Sequence, residues 1–501
     1  MNANPLQGAP VLVVGAGIMG AGIAQVAAQA GHPVMLFDLR QGAATEAKAK
    51  LSKSLNALVA KGKLTAQIAA EALSRIEPIG TLEAAASARL VIEAVAEKLD
   101  AKRALFGQLE AIVADDCVLA TNTSSISVTA IANGLKHPRR LVGMHFFNPV
   151  PLMKLVEVVS GLQTDADVAR SIHVLSTHWG KAPVYACSTP GFIVNRIARP
   201  YYAETLALLQ ERAAEPALLD ACLRAAGFRM GPCELMDLIG HDINFAVTQS
   251  VYEANFSDKR FVPSLVQREL VEGGLLGRKA GRGFYDYAPG AVGPTVPVYE
   301  PVPLPAGDLL RVHGSGALAQ RLCQVLARAC RPFQHCADSA WTGLEVQGAQ
   351  LRLTDGRPAT QLGADVAVFD LPLTDVPGAM LAWAVSERAS EAWAEASGQW
   401  LHALGWNAQR MADTPGLVVA RTIAMLINEA ADAVHQGVCD EDAADAAMKL
   451  GVNYPQGPFE WLAGWSAAGV VHLLDALDAH YRGERYRVSP ALRRRAWKEA
   501  A

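Results

Sequence analysis

Several features are scarce or missing in this sequence, and each absence narrows the function. The chain has 501 residues and a net charge of −4, with no extended block of basic residues, which argues against nucleic acid and membrane surfaces as partners. Its eight cysteines are scattered without a CxxC pair, and we see no signal peptide, so we expect reduced thiols and a cytoplasmic protein. Cys330, His335 and Cys336 lack a second ligand pair at zinc spacing, so we expect no bound metal.

Charged side chains are also absent from Met1 to Phe37, so a hydropathy window would suggest a membrane span there. Pro10, several glycines and Gln25 interrupt this segment, and no basic flank precedes it. A membrane helix needs about 20 consecutive apolar residues. The sequence therefore predicts a buried strand followed by a helix.

The same segment places a glycine loop between that strand and that helix. Val11–Val14 is apolar, the sequence GAGIMG follows, and a helical pattern continues to Ala30. Such glycines permit a tight turn, approach of the backbone to a pyrophosphate, and close packing of helix on strand, and the helix N-terminus then faces the phosphates. The alternative is a glycine-rich turn without a ligand. The predicted cofactor-binding residues of this loop are Gly15, Gly17, Ile18, Met19 and Gly20.

A second apolar strand, Val34–Phe37, ends at Asp38. An acidic residue at this place is expected to bind the adenosine ribose hydroxyls. Asp38 therefore favours NAD over NADP, although Arg40 nearby leaves NADP open.

A carboxylate stands inside an apolar strand pattern further along the chain. The predicted strand Leu152–Val159 contains Glu157 and follows the segment GMHFFNP, which begins at Gly143. A buried charge is costly unless it is paired, and His145 is the nearest plausible partner. A carboxylate beside an imidazole orients it and fixes its tautomer, so the pair predicts a general base. The alternative is a core histidine with a structural role.

A polar cluster, Thr121–Ser125, follows another apolar strand pattern, Cys117–Ala120. Ligands of parallel sheets collect at the carboxyl ends of the strands, so Ser124 is a candidate site residue. The alternative is that Ser124 or Ser125 caps a helix that runs toward Ala132.

The chain length suggests two to four domains. Residues 1–187 alternate apolar strands and amphipathic helices, which predicts a Rossmann-like α/β domain. Thr189 and Pro190 are expected to cap and open a helix over Phe192–Gln210, within an all-α domain of residues 188–290. A linker rich in proline and glycine, Ala288–Gly307, begins a degenerate α/β segment of residues 291–410, and a second all-α domain covers 411–501.

The second all-α domain repeats the first. Thr189-Pro190-Gly191 recurs 225 positions later as Thr414-Pro415-Gly416, and a series of further matches at this offset indicates duplication. Asn195 corresponds to Ala420, and residues 308–410 contain no GxGxxG, TNTSS or HFFN, so we expect no nucleotide there. We expect residues 411–501 to pack on residues 188–290.

The motifs GAGIMG, TNTSS, GMHFFNPVPLMKLVEVV, TPGFIVNR and GRKAGRGFYDY, in this order, resemble those of the L-3-hydroxyacyl-CoA dehydrogenase family. The match covers residues 8–288, and the duplicated tail resembles longer bacterial members, including those that act on 3-hydroxyadipyl-CoA in phenylacetate degradation. The resemblance implies NAD-dependent oxidation of an (S)-3-hydroxyacyl-CoA, as in β-oxidation. In the family, helical domains pair between subunits, so the fused copy could imitate a partner; a homodimer and a pseudo-dimeric monomer both remain open.

The resemblance also implies roles for individual residues. His145 would take the proton of the 3-hydroxyl, Glu157 would orient His145, and Ser124 would donate to the substrate oxygen. Asn195 would position the acyl thioester. The other positions that match NAD-contacting residues of the family are Glu97, Lys102, Ser124, Asn148 and Lys279.

The coenzyme A moiety is expected on the helical stretch after Asp38, where Lys48 and Lys53 are candidates for its phosphates. The alternative is a solvated helix face with a Glu46–Lys50 pair. An ω-carboxylate on the acyl chain would need a cation, and the candidates are Arg196, Arg199 and Arg229. Trp461 and Trp465 could lengthen the wall of the acyl pocket.

Two other functions stay open. One is oxidation of a free hydroxy or sugar acid by a gulonate-dehydrogenase-like enzyme, and the other is a non-catalytic NAD-binding protein like the lens crystallins related to this family. The chain length and the duplication favour the acyl-CoA substrate, and the intact His145, Glu157, Ser124 and Asn195 favour catalysis.

Overall fold

The computed structural model describes residues 4–291, 293, 296–306 and 309–499. It forms two compact units: the first consists of residues up to Arg196 together with Gln436–Asn453, and the second of Ile197–His435 and the chain from Tyr454 onward. Within the predicted linker of residues 288–307, positions 292, 294, 295 and 307 lie outside the described residues.

The first unit is built on an eight-stranded sheet. Its strands are β1 (Val11–Val14), β2 (Val34–Phe37), β3 (Ile76–Pro78), β4 (Leu90–Glu93), β5 (Val118–Thr121), β6 (Leu141–Phe146), β7 (Leu155–Ser160) and β8 (Ala182–Cys187). Its helices are α1 (Ile18–Gln29), α2 (Ala43–Ala60), α3 (Ala66–Ser74), α4 (Leu99–Ile112), α5 (Val128–Ala132), α6 (Ala166–His178) and the start of α7 (Val194–Ile197).

The strand order of this sheet is β3-β2-β1-β4-β5-β6-β7-β8. The strands pair in parallel except at β6–β7, where the pairing is antiparallel. All residues of β1 and β2 are buried, because helices cover both faces of such a sheet and the strands become continuously apolar. Order 3-2-1-4-5-6 is that of dinucleotide-binding folds, whose ligand lies where the order reverses at β1 and β4. The predicted Rossmann-like domain is confirmed.

Two local predictions need correction. The strand predicted over Leu152–Val159 begins only at Leu155, because Pro149–Leu152 form a turn and Leu152 is exposed. Thr189 does not cap a helix, and the chain turns at Gly191 and Phe192, which has a φ of 47°. Regular helix therefore starts at Val194, and the helical stretch divides into two helices at Ala198.

The second unit contains the remaining elements. Its strands are β9 (Leu310–His313), β10 (Phe333–Cys336), β11 (Gly343–Val346), β12 (Ala349–Leu353), β13 (Val366–Phe369), β14 (Ala379–Val385) and β15 (Trp406–Arg410). Its helices are α8 (Arg199–Gln210), α9 (Pro216–Ala225), α10 (Pro232–Ile239), α11 (His241–Ala254), α12 (Leu265–Glu272), α13 (Ala317–Arg328), α14 (Ala359–Leu362), α15 (Glu391–Ala403), α16 (Val419–His435), α18 (Pro458–Trp465), α19 (Ala467–Tyr481) and α20 (Pro490–Glu499). The intervening helix, α17 (Glu441–Val452), belongs to the first unit.

The seven strands of the second unit form one sheet in the order β10-β9-β11-β12-β13-β14-β15. Strands β11 and β12 form an antiparallel hairpin whose turn, Gln347-Gly348, has positive φ at both residues, as tight hairpin turns require. In the first sheet the corresponding step from β4 to β5 is made by a whole helix, α4. The second sheet is thus a reduced form of the first.

The two helical copies pack on each other within the second unit, as the sequence repeat predicted. Helix α8 contacts α16, and at this contact the Arg421 guanidinium donates to the Glu204 carboxylate at 2.6 Å. Both side chains are fully buried, so this ion pair belongs to the interior of the unit.

Each unit also contains a helix that comes from the other repeat copy. In the first unit α17, from the second copy, packs on β7 and β8, and in the second unit its counterpart α9, from the first copy, packs on β14. Among the described helices, none is long and apolar enough to cross a bilayer.

Candidate active site

The glycine loop joins β1 to α1 in the first unit. Gly15 has a φ of +107°, and a Cβ on it would lie 2.4 Å from the Ala94 carbonyl oxygen. A Cβ on Gly20 would lie 1.7 Å from the Gly15 carbonyl oxygen, so these two positions are closed to any side chain. A Cβ on Gly17 would meet no protein atom within 4 Å. The space beside Gly17 is open, and a pyrophosphate at the N-terminus of α1 fits it.

Asp38 lies at the end of β2 and is tied to the glycine loop. Its Oδ2 accepts a hydrogen bond from the Ala16 backbone N–H at 2.7 Å, and its Oδ1 accepts from the Arg40 N–H at 2.9 Å. The Arg40 guanidinium donates to both carboxylate oxygens of Glu46, at 3.0 and 2.7 Å. Glu46 therefore pairs with Arg40, not with Lys50 as the alternative for this helix supposed, and Arg40 is already engaged by a carboxylate.

Two exposed apolar side chains flank the same loop. Ile18 is 79 % exposed and Leu39 is 82 % exposed, while Met19 is half-buried. Exposed apolar side chains are common on protein surfaces, but these two lie beside the glycine loop. They offer a surface on which an adenine ring could pack.

The end of β4 holds a buried charged cluster that sequence reasoning missed. Glu93 is fully buried and Lys102 is 1 % exposed, and the lysine ammonium lies 2.6 Å from Glu93 and 3.2 Å from Glu97. Glu93 also accepts from the Thr121 hydroxyl at 2.7 Å. The signal was present, because Glu93 interrupts the apolar run LVIEAV just as Glu157 interrupts LVEVV. Lys102 has almost no open surface, so its position argues against the direct NAD contact we expected.

Glu97 accepts several hydrogen bonds from the polar cluster that follows β5. One of its oxygens accepts from the Thr123 hydroxyl at 2.6 Å and from the backbone N–H groups of Ser124 and Ser125 at 2.9 and 3.1 Å. Burial raises the pKa of Glu97, but Lys102 and these hydrogen bonds more than offset burial and hold the pKa below its usual value. Glu97 is therefore ionised at neutral pH and fixes the backbone of the Ser124 turn.

The capping role considered for Ser124 or Ser125 belongs to another residue. Ser127 is the N-cap of α5, and its hydroxyl accepts from the Ala130 N–H at 3.2 Å. Ser124 lies at the carboxyl end of β5 without capping a helix, and its hydroxyl donates to Glu97 Oε1 at 3.3 Å.

His145 and Glu157 face each other across the antiparallel pair β6–β7. The Nδ1 atom of His145 lies 2.5 Å from Glu157 Oε2. The other carboxylate oxygen, Oε1, accepts from the backbone N–H groups of Ile193 and Val194, each at 3.0 Å. Glu157 is fully buried. Its hydrogen bonds connect the histidine to the first turn of α7.

This arrangement fixes the histidine. Its Nδ1 donates to the carboxylate, which leaves Nε2 as the nitrogen that can accept a proton. The ring packs against Phe147 and Phe192, with centroids 4.5 and 5.9 Å away. Its side chain is almost buried. Packing and the Glu157 bond together hold one ring orientation.

Asn195 and Ser124 come together beside this pair. The Asn195 amide Nδ2 lies 3.5 Å from the Ser124 carbonyl oxygen, and both side chains are half-buried. Helix α17 closes the other side, since a Cβ on Gly451 would lie 2.6 Å from Leu155 Cδ2 and 3.7 Å from Phe147 Cε1. Sequence reasoning did not find α17, because the contact joins residues about 300 positions apart in the chain.

The remaining predicted site residues are placed as follows. Asn148 is exposed just after β6. Lys279 belongs to the second unit, where its ammonium lies 2.5 Å from Asp242. The Lys48 ammonium donates to the Ile76 carbonyl oxygen at 2.5 Å, whereas Lys53 is exposed on α2. Trp461 is buried among Phe228 and Tyr454, and Trp465 is half-buried.

The second copy has lost the histidine–carboxylate pair. At the 225-residue offset His145 becomes Asp370 and Glu157 becomes Ala382, and the two lie opposite each other, since the Asp370 N–H donates to the Ala382 carbonyl at 2.9 Å. The Asp370 carboxylate accepts from the N–H groups of residues 418, 419 and 420, at 2.9, 2.6 and 2.9 Å. Asp370, at the position of the histidine, thus accepts the N–H groups at the start of the helix, as Glu157 does in the first copy.

Asp370 makes a pH-dependent contribution to stability. Burial raises its pKa to about 6 despite the backbone hydrogen bonds, so the folded chain binds this proton more tightly than the unfolded chain does. The stabilisation is present below 3.8, the ordinary pKa of an aspartate, and is lost as pH rises to about 6. We expect the melting temperature of Asp370→Asn, relative to wild type, to rise between about pH 4.5 and about pH 7.5. A pH-independent difference would contradict this.

Comparisons with known proteins identify the family of the chain. The family profile "3-hydroxyacyl-CoA dehydrogenase, NAD binding domain" matches residues 10–189, and its C-terminal domain matches twice, over residues 191–287 and 416–499. The "3-hydroxybutyryl-CoA dehydrogenase reduced Rossmann-fold domain" matches residues 351–415. The duplication and the reduced second α/β segment are therefore confirmed.

Two of the similar proteins extend over almost the whole chain, and a third covers about half of it. A 3-hydroxyadipyl-CoA dehydrogenase of Escherichia coli is 43% identical over 98% of this chain and 98% of its own length. A crystal structure of a 3-hydroxybutyryl-CoA dehydrogenase of Escherichia coli matches 98% of this chain and 99% of its own, with 42% identity and a TM-score of 0.88. A 3-hydroxybutyryl-CoA dehydrogenase of Clostridioides difficile is 40% identical over 55% of this chain and 98% of its own length.

The profile matches cover most of the sequence, and the Escherichia coli 3-hydroxyadipyl-CoA dehydrogenase matches 98% of it at 43% identity. The chain therefore belongs to the family of NAD-dependent 3-hydroxyacyl-CoA dehydrogenases.

Proposed function

We propose that this chain oxidises the 3-hydroxyl of an (S)-3-hydroxyacyl-CoA to a 3-oxo group, with His145 as the general base and Glu157 as its partner. The observation that carries the proposal is the 2.5 Å contact of His145 Nδ1 with Glu157 Oε2, in one unit with the glycine loop and the Ser124 turn. Oxidation of an alcohol by NAD needs a base within reach of the hydroxyl proton, and this pair supplies one.

The residues of the first unit fit NAD. The open space beside Gly17 fits the pyrophosphate, and Asp38, held by the Ala16 N–H, fits the adenosine ribose. Bound NAD supplies the acceptor for the hydride. Glu97 and Asn148 are proposed further contacts, and Lys102 is proposed to act by positioning Glu97. Lys279 is proposed as an NAD contact only on the family resemblance.

The proton is proposed to leave the substrate hydroxyl for His145 Nε2. The imidazolium that results is stabilised by the Glu157 carboxylate, whose Oε2 contacts the ring and whose Oε1 accepts from two backbone N–H groups. Ser124 Oγ and Asn195 Nδ2 are donors for the substrate oxygen and the thioester carbonyl. Neither role needs a metal ion.

Lys53 is proposed, in preference to Lys48, to contact the phosphates of coenzyme A. Lys53 is exposed, whereas the Lys48 ammonium is already bonded to a backbone carbonyl. The acyl chain is either short or dicarboxylic, since relatives named for 3-hydroxybutyryl-CoA and 3-hydroxyadipyl-CoA match the chain over almost its full length. The packing of α8 on α16 supports a monomer in which the fused copy replaces a partner subunit, and size-exclusion chromatography with light scattering tests it against the homodimer.

A substitution at Gly17 is expected to weaken cofactor binding without affecting folding. Because a Cβ there would meet no protein atom within 4 Å and the residue has a φ of −70°, we expect Gly17→Ala to keep the wild-type melting temperature. The same methyl group would stand where the pyrophosphate approaches, so the Kd for NAD should rise by about tenfold or more. Titration of NADH fluorescence measures the affinity. A wild-type Kd in Gly17→Ala would show that the loop does not bind the cofactor as proposed.

The substrate class is tested by NADH formation. Purified protein is assayed with 3-hydroxybutyryl-CoA, 3-hydroxyadipyl-CoA, free 3-hydroxybutyrate and gulonate. Turnover of the thioesters alone supports the proposal. Turnover of only the free acids would move the assignment to a sugar-acid dehydrogenase, and NAD binding without any turnover would favour the crystallin-like alternative.

A further inference from the structure

A small cavity of about 70 Å³ lies inside the second unit. It is bounded by α8, by the segment 260–264 and by Thr248 of α11, and three arginines line it: Arg199, Arg260 and Arg485. A cavity of this size has room for about two water molecules or one small functional group.

Two of these arginines are neutralised by carboxylates. Arg260 contacts Asp258, Glu429 and Asp432. Arg485 lies 2.8 Å from Glu204, which also accepts from Arg421. Neither guanidinium therefore contributes a free charge to the cavity.

Arg199 differs from both. It is 6 % exposed, and in the part of the chain that the structure describes no carboxylate pairs with it. Its Nη1 donates to the Thr248 hydroxyl at 3.2 Å, its guanidinium carbon lies 4.9 Å from the centroid of the Tyr202 ring, and its Nε is buried without a hydrogen-bond acceptor. Burial lowers the pKa of Arg199 from its ordinary value. A buried cation with an unused donor is costly unless an anion completes it.

The other two arginines proposed from the sequence lack this property. Arg196 donates to the Gln436 side-chain oxygen at 2.9 Å, and Arg229 is exposed. Of the three, only Arg199 lines this cavity, and no described carboxylate compensates its charge.

The walls of the cavity indicate what kind of anion fits. Leu206, Phe261, Val262 and Pro263 are apolar, and Thr248 and Gln267 add single polar groups. A phosphate would need several donors in addition to one arginine. A carboxylate on a short aliphatic chain matches one guanidinium and apolar walls.

We propose that Arg199 binds a carboxylate in this cavity. The ligand is a free aliphatic carboxylic acid, and the cavity is a binding site of the second unit alone.

The test compares wild type, Arg199→Met and Arg199→Lys, with Arg229→Met as a control that removes an exposed arginine from the same unit. The melting temperature of each protein is measured with and without adipate, a short aliphatic dicarboxylic acid.

We expect adipate to raise the melting temperature of wild type and of Arg229→Met but not of Arg199→Met, and Arg199→Lys should keep part of the rise. No adipate-dependent rise in wild type would overturn the proposal, and so would an equal rise in Arg199→Met. The wild-type measurement decides the question even if Arg199→Met does not fold.

Discussion

Glu157→Gln is expected to lower kcat by about 10³-fold while leaving the fold intact. Two backbone N–H groups, those of Ile193 and Val194, point at Glu157 Oε1 and need an acceptor. The amide oxygen of glutamine therefore takes that place, and its NH₂ group faces His145 Nδ1. His145 must then accept at Nδ1 and carry its proton on Nε2, which is the wrong tautomer for a base.

The controls for this prediction distinguish a change in the tautomer of His145 from a loss of folding stability. Glu157→Ala removes the acceptor for both N–H groups, each worth about 1–3 kcal/mol when left unsatisfied, so it should also lower the melting temperature. Glu157→Gln should keep the melting temperature and the Kd for NAD near wild type, with the loss confined to kcat. Retention of kcat within about tenfold would mean that the carboxylate does not set the tautomer of His145.

Lys102→Met should destabilise the protein by about 3–5 kcal/mol. The Lys102 ammonium is buried between Glu93 and Glu97, so its removal leaves a fully buried carboxylate without a counter-charge. It also removes the charge that does most to hold the pKa of Glu97 down, and Glu97 fixes the Ser124 turn. Urea unfolding measures the loss of stability, and NADH fluorescence measures the accompanying loss of NAD affinity.

A charge-matched variant controls for this interpretation. Glu93→Gln combined with Lys102→Met removes the partner charge as well, and it should recover a large part of the stability lost by Lys102→Met alone. If the double variant is as unstable as the two single changes added together, packing of the lysine stem accounts for the loss and the charge does not.

The local features of the first unit were predictable because each depends on neighbours in sequence. The strand, glycine loop and helix over residues 11–29 follow from hydrophobic pattern and turn chemistry, and Asp38 follows the next strand directly. His145 and Glu157 are 12 residues apart on two successive strands, so one antiparallel pairing brings them together.

Features that depend on distant residues were not predictable in this way. The helix expected from Thr189 starts at Val194 because the turn at Phe192 presents two N–H groups to Glu157, a contact across 36 residues. The place of α17 on β7 and β8 depends on the pairing of repeat copies and leaves no local pattern. Glu93 is a different case, since the apolar run around it contained the same signal that identified Glu157.

The second repeat copy keeps the fold without the proposed catalytic residues. Asp370 at the histidine position keeps the helix N-terminus bound through its own carboxylate, while Ala382 and Ala420 replace the residues that would serve a substrate. The second copy thus keeps the contact that folding needs and loses the groups that proton transfer needs.

The central claim is that His145 takes the proton of the 3-hydroxyl. A single-turnover measurement of NADH formation from 3-hydroxybutyryl-CoA, by wild type and by His145→Gln, tests it most directly. The account predicts a rate in His145→Gln that is lower by about 10³-fold, with the Kd for NAD within about twofold of wild type. A rate within about tenfold of wild type would contradict the assignment of His145 as the base.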